Sequence, residues 1–209
     1  MPRKKPYPDD ASYLEAELDW IAQRCTRIHA KRSLAEAVDR YPLSDHTNRE
    51  SNRLTLFAWG KRKTDAHRHE VFKRQDIDDR RASVQAAGRT LGLDRLCDSH
   101  GLEDRERTLL LLAGAAALDR SFETLFADLG SYRSDGRLCP EVVFEFLELG
   151  VAQRIRARQW FGPETHLIRQ GLITLTPEPA AEHPALLEAS IRIRGRALGA
   201  MLGRTAVPI

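Results

Sequence analysis

The stretch that decides the fold is residues 91–112, LGLDRLCDSHGLEDRERTLLLL. Gly101 accepts the left-handed conformation that ends a helix, and Glu103 or Asp104 begins the next helix, because acidic residues stabilise helix N-termini. This next helix carries four consecutive leucines from Leu109, so most of its circumference is apolar. Other elements must cover such a helix on nearly all sides. We therefore predict that it is the central helix of a domain.

Further short helices are predicted around this central helix. Their predicted ranges are 93–100 before it, and 122–129, 140–149 and 151–159 after it. Pro140 suits the first position of its helix, where the missing N–H is not needed. The alternating residues 172–175, LITL, then predict a short strand after the turn that contains Gly162-Pro163. Helices followed by a short β element are the element order of a winged-helix domain.

The N-terminal part of the chain is predicted to be helical. From Asp10 to Lys31, apolar residues recur at spacings of three and four, which indicates an amphipathic helix that packs within the chain rather than with a second copy. A second short helix is predicted from Ser33 to Tyr41, ended by Pro42. The following segments are predicted in chain order as a loop or disordered link over 43–53, a strand or buried helical turn over 54–59, and a charged helix over 70–90.

The predicted fold class is therefore mainly α, with an N-terminal helical region followed by a winged-helix-like domain with a short β wing. The expected domain boundaries are 1–90 for the helical region, with a polar segment near 43–53, and 91–175 for the winged-helix-like domain. Residues 176–209 are expected to hold a proline-rich linker at 176–184 and a last amphipathic helix within 186–202.

Composition points to an ordinary globular protein. The chain has 209 residues, 42% of them hydrophobic, and a net charge of +3; most of the positive excess lies in residues 1–90, interspersed with acids as on a solvated surface. No run of eighteen uncharged apolar residues occurs, so no membrane association is expected, and we expect a cytoplasmic protein. Cys25, Cys97 and Cys139 lack any CxxC pairing and are expected to be buried thiols with a structural role.

The motifs that carry enzyme chemistry are missing or incomplete. Gly60-Lys61-Arg62 resembles the end of a phosphate loop, but Arg62 stands where that motif needs Ser or Thr. His67 and His69 lie near carboxylates and would need a third ligand to hold a metal. His100 beside Asp98 could act as a general base but has no nucleophile nearby in sequence. We therefore expect no catalytic residue, no cofactor and no metal.

Two segments carry a family resemblance: residues 93–119, LDRLCDSHGLEDRERTLLLLAGAAALD, and residues 161–172, FGPETHLIRQGL. They resemble the winged-helix region that precedes the ATPase core in a group of bacterial AAA+ ATPases, some of which accompany contractile injection systems. The resemblance implies a non-catalytic domain that recruits a protein partner or substrate to a AAA+ motor, or regulates it. Oligomerisation would then come through an attached ATPase domain. No GxxxxGK[ST] occurs in this chain, so nucleotide binding is not implied for it.

DNA binding, or a role as a stand-alone adaptor, is the alternative function. The helix predicted at 140–149 is the candidate recognition helix, and its three carboxylates would repel a phosphate backbone. The next helix supplies three arginines that keep DNA binding open. The candidate partner-contact residues are the charged side chains of these two helices: Glu141, Glu145, Glu148, Arg154, Arg156 and Arg158.

Overall fold

The computed structural model describes residues 4–40, 49–130, 135–177 and 186–204, with only the backbone described for 37–40 and 49–64. Two long helices come first: α1 spans Asp10–Arg40 and α2 spans Arg49–Ala86. They are antiparallel, since Asp19 of α1 pairs with Lys73 of α2 while Arg24 pairs with Glu70. This α1–α2 hairpin is the N-terminal helical region that the sequence predicts.

Shorter elements follow the hairpin. The helices are α3 (Gly92–His100), α4 (Asp104–Leu118), α5 (Ser121–Leu129), α6 (Pro140–Phe146), α7 (Val151–Ala157), α8 (His166–Arg169) and α9 (Gly195–Met201). The strands are β1 (Ile173–Thr176) and β2 (Ser190–Ile193), and 3₁₀ turns span Arg158–Phe161 and Leu186–Glu188. The fold is mainly α with a small antiparallel sheet, which confirms the predicted fold class.

The sheet pairs β1 with β2 in antiparallel register, with Ile173 opposite Ile193 and Thr176 opposite Ser190. The backbone N–H of Ile191 points away from β1 and donates to the Leu138 carbonyl at 2.8 Å. Leu138, two residues before α6, therefore extends the sheet by one hydrogen bond. The two strands form the wing.

The central helix is α4, as the leucine run predicts. Leu109 to Leu112 are all buried, at most 3% exposed. The α4 helix begins after Glu103, whose backbone N–H donates to the Glu106 side chain at 3.0 Å, and α3 ends at Gly101 with a φ of +60°. Both boundaries agree with the capping signals in the sequence. The hairpin contributes to the same core, because α1 packs against α4, α5 and α6.

A buried ionic cluster joins α1, α2, α3 and α4. Glu17 is fully buried and accepts two hydrogen bonds from Arg74, at 2.7 and 3.2 Å, and one from the Tyr13 hydroxyl at 2.7 Å. Arg107 of α4 donates to the same hydroxyl and lies 3.4 Å from Glu17. Asp94 of α3 lies 3.5 Å from Arg107. The polar residues of four helices thus meet in one place inside the core.

The two helices of the hairpin are longer and less interrupted than the sequence predicts. α1 is one helix to Arg40, where two helices were expected, because no proline or glycine interrupts Asp10–Arg40. α2 runs through 54–59 and Gly60, so the strand alternative for 54–59 was wrong; a single helical glycine costs only about 1 kcal/mol. Of the loop predicted over 43–53, the part before Arg49 lies outside the described residues, and the rest is helical.

In the C-terminal part, residues 186–202 adopt a different secondary structure from the one that the sequence predicts. A single amphipathic helix was expected there, whereas the segment holds a 3₁₀ turn, strand β2 and the shorter helix α9. Four residues are too few for periodicity to distinguish a strand from a helix, and pairing with β1 decides the conformation of Ser190–Ile193. Most of the linker predicted at 176–184 lies outside the described residues.

Candidate functional site

The α6 and α7 helices are joined by a tight turn. α6 ends at Phe146 rather than at Leu149, because Glu148 adopts a φ of +51° in the left-handed region, which no helix can continue through. α7 begins after Gly150, whose backbone N–H donates to the Gln153 side chain at 2.9 Å. Two helices connected by four residues form a helix-turn-helix unit.

This connectivity changes which helix would face a nucleic acid. In a helix-turn-helix unit the second helix is the recognition helix. That position belongs to α7, so the prediction that placed the recognition helix at 140–149 was one helix too early. α7 carries arginines and no acidic residue. The repulsion between three glutamates and the phosphate backbone was expected for the 140–149 segment. It does not apply to α7.

The six candidate contact residues fall into two groups. The first group makes contacts inside the molecule: Glu145 pairs with Arg154 at 2.8 Å, Glu148 pairs with α1, and the half-buried Glu141 also has a partner. Arg156 and Arg158 form the second group. Both are exposed, and neither forms an ion pair with the parts of the chain whose side chains are described. Only the second group is available to a partner without breaking existing contacts.

Basic residues of α1 hold the helix-turn-helix unit in place. Arg27 and Lys31 each contact the Glu148 carboxylate at 2.7 Å. Arg24 donates to the Phe146 carbonyl at 2.9 Å, which satisfies a carbonyl at the end of α6, and to the buried Glu70 of α2 at 2.6 Å. These contacts from α1 therefore help to fix the position of α6 and of the turn that leads to α7.

The Glu148 contacts predict a pH-dependent contribution to stability. The hydrogen bond from Arg27 is the largest of the influences that lower the pKa of this carboxyl, from 4.5 to about 2. A lowered pKa stabilises the folded state above the unfolded pKa of 4.5, and this contribution is lost as the pH falls toward about 2. We expect Glu148→Gln to lower the free energy of unfolding by about 1–3 kcal/mol at pH 7, since the pair is partly solvated.

Urea unfolding of the wild type and E148Q at pH 7, 4 and 3 measures this effect. The difference between the two proteins should shrink steadily over this series. Glu164→Gln serves as the control, because Glu164 is an exposed residue for which no ion pair is found in the described structure. A constant difference from pH 7 to pH 3 would show that the Glu148 charge does not stabilise the fold.

The α7 surface, which we define as Val151, Ile155, Arg156 and Arg158, is the site that the sequence did not predict in full. Val151 is 76% exposed and Ile155 is 66% exposed. The two side chains are one helical turn apart, so they form one apolar pair flanked by the two exposed arginines. Their spacing of four is visible in the sequence, but the same spacing would also suit a buried helix face.

The other candidate sites do not assemble into reactive groups. His67 and His69 are exposed on α2, and over the described side chains no group of three His, Cys, Asp or Glu could hold a metal ion. The three cysteines are free and buried, and burial raises the pKa of the Cys25 and Cys97 thiols to about 12. The predicted structural role of these thiols agrees with this burial. No helix of the described chain is long and apolar enough to cross a membrane.

Comparison with known proteins identifies a family for the chain. A family model described as "Winged helix domain, variant" matches residues 1–207. The match includes the α1–α2 hairpin as well as the elements from α3 to α9. No curated protein and no solved structure shows a significant match to the chain.

Proposed function

The chain belongs to the winged helix domain, variant, family, and from that premise we propose that it is a non-catalytic protein-docking module that recruits a partner or substrate to a AAA+ ATPase. The observation that carries the proposal is the exposed apolar pair of the α7 surface, at the position of the recognition helix. Apolar side chains that are exposed next to arginines are typical of the centre of a protein interface. The resemblance of residues 93–119 to the region before a AAA+ core supports a AAA+ ATPase as the enzyme that this module serves.

The α7 surface also indicates the chemistry of the partner. Burial of Val151 and Ile155 would contribute about 1.5–3 kcal/mol each, which favours an apolar groove on the partner. Arg156 and Arg158 favour acidic residues at the rim of that groove, where complementary charge steers association. A bacterial, cytoplasmic setting, and a link to contractile injection systems, follow from the same resemblance and belong to this proposal.

The double substitution Val151→Ser/Ile155→Ser tests the docking surface. We expect the free energy of unfolding to change by less than about 1 kcal/mol, because both side chains are solvent-exposed. Partner binding should weaken by at least about tenfold, because the apolar contact is lost. A photo-crosslinking residue at position 155, used in the source cells, identifies the partner by mass spectrometry.

The control is the same crosslinking residue at position 118, since Leu118 is 37% exposed and lies on α4. The proposal requires a AAA+ protein or its substrate to be crosslinked from position 155 and not from position 118. The proposal would be abandoned if neither appeared, or if the serine variant were captured as well as the wild type in a binding assay with the identified partner.

DNA binding is the second candidate, and one observation favours it: Arg156 of α7 and Arg158 at the start of the following 3₁₀ turn are exposed, and neither forms an ion pair with a described side chain. Fluorescence anisotropy with duplex DNA at several salt concentrations separates the two functions. DNA binding predicts a salt-dependent signal that Arg156→Gln/Arg158→Gln abolishes and Val151→Ser/Ile155→Ser does not. Protein docking predicts no signal with DNA near physiological salt.

A further inference from the structure

A second surface, remote from the α7 residues in sequence, forms a cavity between α3 and α9. Its volume is about 540 Å³, which is within the range of small-molecule sites. Helix α3 contributes Arg95 and His100 to the lining, α9 contributes Arg196, and the segment after α9 contributes Arg204. We call this the α3–α9 cavity.

The lining of the α3–α9 cavity is strongly basic. Three arginines and one histidine line it, and none of the lining residues identified in the described structure is Asp, Glu, Phe, Tyr or Trp. Arg196 donates one hydrogen bond to the Gln170 carbonyl at 2.8 Å, and Arg95 donates one to the Thr90 carbonyl at 2.6 Å. A guanidinium has five N–H donors, so each arginine keeps donors for a ligand.

The nearest carboxylate to this group is already engaged. Asp10 lies 3.9 Å from Arg95, and its Oδ1 accepts the backbone N–H of Gly92 at 2.5 Å. Asp10 therefore accepts a hydrogen bond at the start of α3 as well as facing Arg95, and it is not among the residues that line the cavity. For Arg196 and Arg204, no ion pair is found within the described part of the chain. One carboxylate thus faces three guanidinium groups, and two of these groups have no anionic partner among the described side chains.

The two helices that form the cavity are held at close range. A Cβ atom at Gly92 would lie 2.5 Å from the Ala200 carbonyl oxygen and 2.8 Å from the Gly203 nitrogen. Only glycine permits this approach of α3 to the end of α9. Gly203 itself has a φ of +73° and also faces Asp10, where a side chain would clash. The arginines thus project from a rigid junction, which lowers the entropic cost of binding.

From this geometry we infer that the α3–α9 cavity binds a small phosphorylated ligand with at least two adjacent phosphate groups. Arginine forms bidentate hydrogen bonds with phosphate oxygens and stays charged at neutral pH. Each guanidinium can bind one phosphate group bidentately, and three of them together suit two adjacent phosphate groups better than one. Because no Phe, Tyr or Trp side chain of the described structure lines the cavity, the ligand is recognised by its phosphates rather than by a ring stacked on one of these side chains. This inference does not depend on the α7 surface.

Isothermal titration calorimetry of the full chain with inorganic pyrophosphate, at fixed ionic strength, tests the inference. We expect saturable binding to one site. Arg196→Gln/Arg204→Gln should weaken it by roughly 100-fold, about tenfold for each guanidinium removed. The matched control Arg68→Gln/Arg120→Gln removes the same charge from two exposed positions and should bind pyrophosphate as the wild type does.

Three results would overturn the inference. The first is the absence of saturable heat with wild-type protein, and the second is an equal loss of affinity in the control, which would show only general charge attraction. The third is equal affinity for inorganic phosphate and pyrophosphate, which would exclude recognition of two groups. Thermal unfolding of each variant, followed by circular dichroism, verifies that the substitutions leave the protein folded.

Discussion

Replacing Glu17 with glutamine is expected to lower the free energy of unfolding by about 3–5 kcal/mol, the typical cost of breaking a buried ion pair from one side. Burial raises the pKa of the Glu17 carboxyl, while Arg74 opposes this by hydrogen bonding. Burial also lowers the pKa of Arg107 to about 10, and its Nε has no hydrogen-bond partner. Without the Glu17 charge, Arg74 keeps Asp78 as an anionic partner, whereas Arg107 keeps only Asp94 at 3.5 Å, so the buried Arg107 guanidinium loses part of the negative charge that offsets its burial.

Urea unfolding at pH 7 measures the effect of Glu17→Gln. Glu15→Gln is the matched control, since Glu15 is exposed on the same helix and should change stability by less than about 0.5 kcal/mol. A second comparison uses the double variant Glu17→Gln/Arg107→Met, which should be more stable than Glu17→Gln alone because it no longer buries a guanidinium whose remaining anionic partner, Asp94, lies 3.5 Å away. A loss below about 1 kcal/mol for Glu17→Gln would show that the cluster contributes little to stability.

Truncation of Leu112 to alanine is the second large expected effect. Leu112 is fully buried in α4, so the substitution removes apolar contacts and leaves a cavity, at a cost of about 2–5 kcal/mol. Leu118→Ala on the same helix is the control, because Leu118 is 37% exposed and its loss should cost less than about 1 kcal/mol.

Denaturant midpoints of the two leucine variants test whether α4 is the central helix. If Leu112→Ala and Leu118→Ala lowered the free energy of unfolding equally, burial of the leucine run would not be what stabilises the fold at α4. The expected ranking follows from the sequence as well as from the structure, since only a helix covered on all sides needs four leucines in succession.

The fold class could be predicted because strong local signals coincide with the observed elements. Gly101 ends α3, Pro140 begins α6, and the leucines from Leu109 lie in the core. The end of α6 was placed three residues too late, since a left-handed conformation at a glutamate has no sequence signal comparable to that of glycine. Strand β2 was missed because four alternating residues acquire a strand conformation only by pairing.

The candidate site was predicted by residue type and not by arrangement. The arginines of α7 were identified from the sequence, whereas the exposure of Val151 and Ile155 was not, because a pair at spacing four suits a buried and an exposed face equally. The engagement of Glu148 by Arg27 and Lys31 joins residues more than a hundred positions apart. No local pattern relates such residues.

Local signals in the sequence were enough to predict the helical class, the central leucine helix and the short β element that follows the helices, because backbone conformation and side-chain periodicity are local properties. The tertiary structure was needed to show which charges neutralise one another, where α6 ends and where α3 meets α9. These features depend on contacts between distant segments, and packing of the whole core fixes them.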